Sequence, residues 1–350
     1  MTFAIIPWAE KFAGDKIFDN SLHRDGSMMP FIKMREEFIR KGHIVHTIDY
    51  FEDIKSVDFF LFFILDWDWL IKLVRLNMEH KMVYCNAEPP SVDYMNTLKG
   101  YRLYRCFFPY ILTWNDEWLD EKSIFKRNIP YYFEDKRLGA RDYQKKKLLT
   151  LISSNNSSNY CGELYSERKN AINYFENEIP NDFDFYGVGW ENDRYICYKG
   201  MVVNKFEIYH SYRFAICYEN IRGYSGYISE KIFDCFISGI VPIYCGASNI
   251  CDYVPRQAFI LLDDFASYDE LKEYLVNMNE EEYSGYLRAA DMFLKSTACD
   301  EFKGEKYADY ILQAVNMNKA DFKVSIKGLF YLWRRLFFQK RQNIIDKLLS

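Results

Sequence analysis

The stretch 214–246 gathers polar side chains around one short loop between two apolar runs. Glu219 and Asn220 end the first run, which is long enough for a buried strand and too short for a helix. Gly223 and Gly226 interrupt the next segment, as expected for a loop held close to a ligand. Carboxylate and amide groups on such a loop can bind hydroxyl groups, so this loop is the first candidate site.

The segment after the loop predicts a helix whose N-terminus faces the candidate site. Ser229 is a suitable N-cap for a helix over 230–238, which Gly239 would end. The next strand, 240–244, completes a strand–loop–helix–strand unit, and Pro242 favours an irregular or edge position in it. The free N–H groups and the dipole of such a helix attract phosphate.

Lys231 lies in the first turn of this helix, where the helix dipole disfavours a cation. An anion bound beside it would explain that position, whereas an isolated lysine is more often a solvated surface residue. Glu219, Asn220, Tyr227 and Glu230 crowd the same loop, so we favour an anion site.

Two runs of this stretch resemble the donor-binding signature of the family 10 glycosyltransferases, the α-1,3/1,4-fucosyltransferases. They are "FAICYEN", at 214–220, and "GYISEKIFDCFISGIVPIYCG", at 226–246, and weaker similarity extends over about residues 80–275. The resemblance implies a GDP-fucose donor, a glycan acceptor and no cofactor. It also implies donor contacts by four residues: Glu219 and Asn220 on ribose or sugar hydroxyls, Tyr227 on the nucleotide, and Glu230 on the sugar or ribose.

An inverting sugar transfer needs a base on the far side of the sugar from the leaving group, so we expect the base in the other half of the chain. The segment 85–90 follows a predicted strand there and resembles the family segment in which a glutamate, here Glu88, is the general base. Pro89 and Pro90 would stiffen the backbone behind it. Outside this resemblance, a lone glutamate before two prolines is most often a surface loop residue.

The departing diphosphate needs cations, and the resemblance implies Lys231 and Arg168 for this role. Arginine can bind two phosphate oxygens at once. Lys169 is a competing candidate, because the register of the match can shift by one residue. Arg222 and Tyr224 receive no assignment, since the spacing from Asn220 to the following tyrosine is about one residue longer than in the family.

The run Asp66-Trp67-Asp68 has the spacing of a divalent-ion site in another transferase fold. We expect it to open a helix instead, because carboxylates are common in a first turn. Two cations on the diphosphate fit a transfer without metal.

Alternating strands and helices predict parallel sheets with helices on both faces. The expected fold is α/β with the GT-B architecture, in which two Rossmann-like domains face a central cleft, and the resemblance implies the same fold. The predicted parts are an acceptor-binding domain at 1–140, a polar linker at 134–147, a GDP-sugar-binding domain at 147–322, and a basic amphipathic tail at 323–350.

Composition limits the class of protein. The net charge of −5 argues against a nucleic-acid partner, which would require a basic surface. The nine cysteines are scattered without a C-x-x-C pair, which fits reduced thiols of a cytosolic protein. The N-terminus has no basic region before a long apolar run, so we expect neither a signal peptide nor a membrane anchor. Animal members of the family that the chain resembles carry an N-terminal membrane span, so the resemblance implies a bacterial, cytoplasmic-side enzyme.

The segment 323–350 holds seven basic residues and one acidic residue. An apolar stripe at helical spacing lies among them: Ile326, Leu329, Phe330, Trp333, Leu336 and Phe337. One hypothesis is a helix on an anionic membrane surface, which would make the enzyme peripheral on the inner face of the plasma membrane. The other is a helix packed on the body or on a second subunit of a homo-oligomer.

The sequence as a whole predicts an inverting transfer of L-fucose from GDP-fucose to a glycan hydroxyl, in lipopolysaccharide, O-antigen or another surface polysaccharide. Transfer of another GDP-linked deoxy sugar is the first alternative, and a non-catalytic glycan-binding protein is the second. Glu88, Arg168 and Lys231 together count against a binding protein, because binding alone does not need a base.

Overall fold

The structure is a computed structural model, and it describes residues 1–22, 26–120, 122–133, 143–191 and 194–349. At 145 and 338–349 it describes the backbone alone. The expected linker, 134–147, lies largely outside these ranges, because 134–142 are not among them.

The first half of the described chain forms a six-stranded parallel sheet in the order β2-β1-β3-β4-β5-β6. Its strands are β1 (Thr2–Ile6), β2 (Ile44–Thr47), β3 (Phe59–Phe62), β4 (Met82–Cys85), β5 (Tyr110–Thr113) and β6 (Ile124–Lys126). The helices between them are α1 (Met29–Arg40), α2 (Trp67–Arg75) and α3 (Leu98–Tyr104). Leu61, Phe62 and Tyr84 are fully buried, as is typical of parallel strands covered on both faces.

The second half of the described chain forms a five-stranded parallel sheet in the order β11-β10-β9-β7-β8. Its strands are β7 (Lys147–Ile152), β8 (Phe183–Tyr186), β9 (Tyr212–Tyr218), β10 (Val241–Cys245) and β11 (Ile260–Leu261). The helices of this half are α4 (Tyr165–Glu178), α5 (Lys205–His210), α6 (Glu230–Ser238), α7 (Tyr268–Asn277), α8 (Glu280–Leu294) and α9 (Thr297–Asp300). The predicted helix 230–238 is confirmed, and Gly239 ends it in the left-handed conformation, with a φ of 65°.

Pro242 lies inside the second sheet, so the edge position predicted for it was wrong. β10 runs between β9 and β11, and Pro242 pairs with Ala215 of β9. β11 is only two residues long and pairs with Ile243 and Tyr244, so Pro242 has no strand partner on the β11 side. Proline, which has no N–H group to donate to a neighbouring strand, destabilises a sheet least where no strand is paired beside it.

The chain then returns to the first sheet, which differs from the predicted extent of the second domain, 147–322. Helix α10 (Gly304–Val315) packs its buried Ala308 and Ile311 into the same core as Phe3 of β1. Helical periodicity predicts that such a helix buries one face. It does not reveal which sheet receives that face, because the choice depends on the tertiary arrangement.

Helix α11 (Ile326–Leu349) begins against the base of the first sheet. Val324 and Leu332 are buried in the core around α2 and α3, and the Arg335 guanidinium stacks on Trp67 at 4.4 Å. Other apolar side chains of the helix point outward: Ile326, Leu329, Phe330, Trp333 and Phe337. The single stripe predicted from the sequence is therefore wrong for Leu336, which packs on the body while the rest of the stripe is exposed. Among the described residues, no helix has the length and apolarity needed to cross a membrane.

The two sheets face each other through loops at the carboxyl ends of their strands. Trp114 follows β5, and its ring packs on that of Tyr227, which lies between β9 and α6, with 4.8 Å between ring centroids. Asp116 accepts hydrogen bonds from the Tyr253 hydroxyl at 2.8 Å and from the Asn249 amide at 2.9 Å. These contacts define the floor of a cleft between the sheets, which we call the central cleft.

Candidate active site

A cavity of about 340 Å³ opens beside the carboxyl ends of β7 and β9, at the N-terminus of α6. Four of the residues predicted from the sequence line it: Arg168, Asn220, Glu230 and Lys231. Glu88, Glu219 and Tyr227 do not line this cavity. Helix α4 and the first turn of α6 therefore place the two predicted cations at one cavity.

Arg168 lies on the inward face of α4 and is only 7% exposed. Its guanidinium donates hydrogen bonds to the carbonyl oxygens of Tyr218 and Glu219, at 2.7 and 2.6 Å, and to the Asn220 amide oxygen at 3.0 Å. Burial lowers the pKa of Arg168 from its ordinary value, while the Glu219 carboxylate opposes that shift. Lys169 does not line the cavity, so the geometry favours Arg168 in the choice that the sequence left open.

Glu219 is fully buried, and its carboxylate lies beneath Lys231 rather than in the cavity. It accepts hydrogen bonds from the N–H and the hydroxyl of Ser229, at 2.8 and 2.6 Å, and lies 3.4 Å from the Lys231 ammonium. Hydrogen bonds to a charged group stabilise by about 1.5–3 kcal/mol. Gly246 makes room for this carboxylate, since a Cβ atom there would lie 2.5 Å from Glu219 Cγ. In this structure Glu219 supports the cation, which differs from the predicted contact with donor hydroxyls.

Ser229 precedes α6 as predicted, but its side chain does not cap the helix. Its hydroxyl instead donates to Glu219 and accepts a hydrogen bond from Lys231 at 3.0 Å. The Ser229 side chain therefore does not occupy the N–H groups of the first helical turn, whose positive end of the dipole is suited to an anion at the cavity.

Lys231 and Glu230 hold each other ionised at the mouth of the cavity. Burial alone would lower the pKa of Lys231, but the carboxylates of Glu230 and Glu219 raise it above its ordinary value. Burial alone would raise the pKa of Glu230, but Lys231 and then Lys205 lower it. The cavity thus presents a permanent cation beside a helix N-terminus, which is an arrangement suited to phosphate.

Glu88 belongs to the first half of the chain and lies in the loop after β4, on the opposite side of the central cleft. Its backbone carbonyl accepts a hydrogen bond from the Asn96 amide at 2.9 Å, which fixes the loop. Burial, followed by the Glu230 carboxylate, raises the pKa of Glu88, and the Lys231 ammonium opposes the shift. Glu88 is therefore within electrostatic range of two side chains in the first turn of α6.

Tyr227 and Gly226 join the two halves of the chain. Tyr227 is buried against Trp114, and a Cβ atom on Gly226, whose φ is 83°, would lie 2.2 Å from the Trp114 carbonyl oxygen. The close approach that Gly226 permits is therefore to the first half of the chain, not to a ligand. Tyr227 does not line the cavity in this structure, so its predicted nucleotide contact stays a prediction.

Residues without a predicted role, or with a doubtful one, have structural partners here. Arg222 forms an ion pair with Asp263, and the Tyr224 hydroxyl hydrogen-bonds that of Tyr160. Asp66 caps α2 by accepting a hydrogen bond from the Trp69 N–H at 2.9 Å, as the sequence predicted for the Asp66–Asp68 run.

The sequence analysis missed other parts of the cavity wall: Ser153, Ser154, Asn156 and Tyr209. The first three follow β7, and a polar loop at the carboxyl end of a parallel strand was the signal that could have found them. Tyr209 on α5 had no such signal, because a tyrosine at helical spacing is read as a core residue.

Comparison with known protein families identifies the family of this chain. Residues 143–323, just over half of the chain, match the family described as "Glycosyltransferase family 10 (fucosyltransferase) C-term". The chain belongs to glycosyltransferase family 10. The resemblance stated from the sequence is thereby confirmed, and the match covers the cavity and both of its cations.

Known fucosyltransferases match shorter segments. An α-(1,3)-fucosyltransferase of Helicobacter pylori is 38% identical over 74 residues, which are 21% of this chain and 15% of that protein. The 4-galactosyl-N-acetylglucosaminide 3-α-L-fucosyltransferase 9 of Mus musculus is 27% identical over 146 residues, 41% of this chain and 36% of that protein. The matches therefore span well under two thirds of these relatives.

A solved structure of an α1,3-fucosyltransferase resembles this chain over 93% of both chains, with a TM-score of 0.57 and 15% identity. At that identity the likeness concerns the fold. The two facing sheets are the GT-B architecture, so the predicted fold class is confirmed.

Proposed function

We propose that this family 10 protein is an inverting transferase that moves L-fucose from GDP-fucose to a hydroxyl group of a glycan. The observation that carries the proposal is the placement of Arg168 and Lys231 in one cavity wall, with Glu88 of the opposite half within electrostatic range of Glu230 and Lys231.

The diphosphate would lie at the N-terminus of α6, between Arg168 and Lys231. Both cations line the cavity, and the uncapped first turn adds N–H donors and the positive end of the helix dipole. These groups would stabilise the negative charge that develops on the nucleoside diphosphate as the sugar leaves. Glu219 would act from below, by holding Ser229 and Lys231 in place.

Glu88 would take the proton of the acceptor hydroxyl. It comes from the half of the chain opposite the donor cavity, as attack from the far side of the sugar requires. Its raised pKa brings it closer to the operating pH of a general base, which typically contributes about 10²- to 10⁴-fold in rate. Asn220 and Glu230, on the cavity wall, would contact hydroxyls of the sugar or ribose.

Family membership and the description of a structural neighbour support GDP-fucose as the proposed donor. A solved α1,3-fucosyltransferase with a TM-score of 0.54 to this chain is described in complex with GDP-fucose. The acceptor that we propose is a surface polysaccharide such as lipopolysaccharide or O-antigen. Another GDP-linked deoxy sugar remains the alternative donor. A non-catalytic glycan-binding protein is disfavoured, because it would not need Glu88 opposite two phosphate-binding cations.

A panel of radiolabelled sugar nucleotides tests this function. GDP-fucose should be hydrolysed or transferred faster than GDP-mannose and UDP-sugars, since the cavity is proposed to fit a GDP-linked deoxy sugar. Turnover should survive EDTA, because Arg168 and Lys231 would supply the positive charge that a divalent ion supplies elsewhere. If another sugar nucleotide is turned over faster than GDP-fucose, its sugar would replace fucose in the proposal. A strict requirement for a divalent ion would contradict the role of the two cations.

We further propose that α11 holds the enzyme against an anionic membrane surface, near a lipid-linked acceptor. Phe330, Trp333 and Phe337 form an outward-facing row with ring centroids 6.0 and 5.8 Å apart, and Trp333 is 61% exposed. Basic residues crowd the same segment of the sequence. Aromatic rings beside lysine and arginine favour the interface of an anionic leaflet, where each cation contributes about 1 kcal/mol.

Substitution of these three aromatic residues by serine should release the protein from vesicles of phosphatidylglycerol and phosphatidylcholine in a sedimentation assay at low salt. Substitution is preferable to truncation, because Val324 and Leu332 belong to the core. The matched control replaces three exposed apolar residues elsewhere with serine: Ile196, Met201 and Val203. Unchanged sedimentation of the aromatic variant would contradict membrane binding. A change of oligomeric state in light scattering would assign the row to a subunit contact.

A further inference from the structure

Arg127 is a buried cation beneath the loop that carries Glu88. It follows β6 directly and is 0% exposed. Its Nε donates a hydrogen bond of 2.8 Å to the carbonyl oxygen of Asn86, and its Nη2 donates to the same oxygen. Asn86 comes directly after β4 and two residues before Glu88.

The surroundings of Arg127 do not neutralise its charge. Its Nη1 lies 3.4 Å from the Asn128 carbonyl oxygen, and the guanidinium stacks on the Tyr307 ring at 4.7 Å. Within the part of the chain that the structure describes, it forms no ion pair with a carboxylate. An arginine is always charged, and a buried charge without a counter-ion is costly. Hydrogen bonds to the Asn86 and Asn128 carbonyl oxygens alone would not require that cost, because neutral donors could make them.

The charge of Arg127 acts on Glu88. The groups that face Glu88 are Glu230 and Lys231 on α6, Asp93 in its own loop, Tyr227 on the donor loop, and Arg127. Burial and then the Glu230 carboxylate raise the pKa of Glu88, and Lys231 and Arg127 oppose the shift. The titratable groups around Arg127 itself are Cys85, Tyr101, Lys126, Tyr307 and Tyr310.

Donor binding would change this balance. Under the proposed function, the diphosphate binds Lys231. The negative charge of the diphosphate then offsets the positive charge of Lys231, which otherwise opposes protonation of Glu88 from across the cleft. Arg127 lies inside the first half of the chain, away from the donor cavity, and its charge would remain.

We propose that Arg127 is a positioning residue for Glu88. It fixes the Asn86 carbonyl with two nitrogens and so holds the loop that carries Glu88, and its positive charge persists in the first half of the chain after the diphosphate has engaged Lys231. The inference rests on the proposed function for the role of Glu88 as base.

The test compares Arg127→Met and Arg127→Lys with the wild-type chain. The first readout is the titration of the Glu88 carboxyl by carbon-13 NMR, with its resonance assigned by its absence from Glu88→Gln. In Arg127→Met the titration midpoint should rise, because an opposing cation is lost. Arg127→Lys should titrate near the wild-type midpoint, because it keeps the charge.

The second readout is the kinetics of fucose transfer with GDP-fucose. In Arg127→Met, kcat should fall about 10-fold or more with little change in KM, because the loop that holds Glu88 loses its anchor. Arg127→Lys should recover only part of kcat, since an ammonium cannot reproduce the grip of two nitrogens. Arg213→Met is the matched control. Arg213 also stacks on a tyrosine, Tyr143, at 4.8 Å, but lies near the N-terminal end of β9, far from the cavity edge of the sheet.

A wild-type midpoint together with wild-type kcat in Arg127→Met would overturn the inference, and so would equal effects of Arg213→Met. If Arg127→Met does not fold, a wild-type kcat in Arg127→Lys would overturn it. Failure of the proposed function has a different signature. In that case the wild-type chain shows no fucose transfer, or Glu88→Gln stays active, while the NMR titration still reports on the coupling between Arg127 and Glu88.

Discussion

Glu88→Gln should abolish fucose transfer while GDP-fucose still binds. The amide has nearly the same shape as the carboxylate and can keep the loop in place, but it cannot accept the proton of the acceptor hydroxyl. The expected loss of kcat is about 10²- to 10⁴-fold, the usual contribution of a general base. Donor affinity, measured by calorimetry, should change little, because Glu88 does not line the donor cavity.

The pH profile of the wild-type chain provides a second check on Glu88. Its pKa is raised by burial and by Glu230, so the carboxylate becomes protonated at a higher pH than an ordinary glutamate as acid is added. Activity should therefore be lost on the acid side above the usual glutamate range, with a single titrating group. Asp93→Asn is the matched control, since it removes a nearby carboxylate of the same loop and should keep transfer. Wild-type turnover in Glu88→Gln would assign the base to another carboxylate.

Arg168→Ala and Lys231→Ala should each weaken GDP binding and slow transfer by about 10²-fold or more, because each removes a charge-stabilising donor from the diphosphate. Arg168→Ala should also lower thermal stability, since the carbonyls of Tyr218 and Glu219 lose their hydrogen-bond donor. Lys231→Ala leaves the buried Glu219 carboxylate with Ser229 as its remaining partner. Calorimetry with GDP, steady-state kinetics and thermal melting separate these effects.

Lys169→Ala is the control for both substitutions. It removes a lysine adjacent to Arg168 in the sequence that does not line the cavity, so donor affinity and rate should stay near wild type. Wild-type affinity and rate in Arg168→Ala, combined with a loss in Lys169→Ala, would move the phosphate contact by one residue. Either cation whose removal changes neither quantity has no part in the proposed transfer.

The sequence predicted the features of the site that depend on local pattern. The helix 230–238, the glycine that ends it and Lys231 in its first turn follow from apolar periodicity and from capping preferences, which act over a few residues. The resemblance to family 10 added Arg168 and Glu88, whose relation to Lys231 spans distant parts of the chain and has no local signal; of the two, Arg168 lies within the matched residues 143–323.

The sequence-based predictions that differ from the structure concern side-chain environments and strand positions, which depend on tertiary contacts. A glutamate at a strand end looks like a ligand contact in the sequence, but β10 and Gly246 enclose the Glu219 carboxylate and turn it toward Ser229. Pro242 predicted an irregular or edge position in its strand, and the shortness of β11 permits it inside the sheet. The importance of Arg127 was also hidden, because nothing in its neighbourhood in the sequence indicates that its side chain reaches the end of β4.

The most direct test of the central claim is proton NMR of the sugar released from GDP-fucose by the wild-type chain, with water as the acceptor. Early spectra report the anomeric configuration before mutarotation, and they need no knowledge of the natural glycan. The account predicts that fucose is released with the configuration opposite to that of the donor, and that Glu88→Gln releases none at a comparable rate. Release with the donor's own configuration, or release that does not depend on Glu88, would contradict the account.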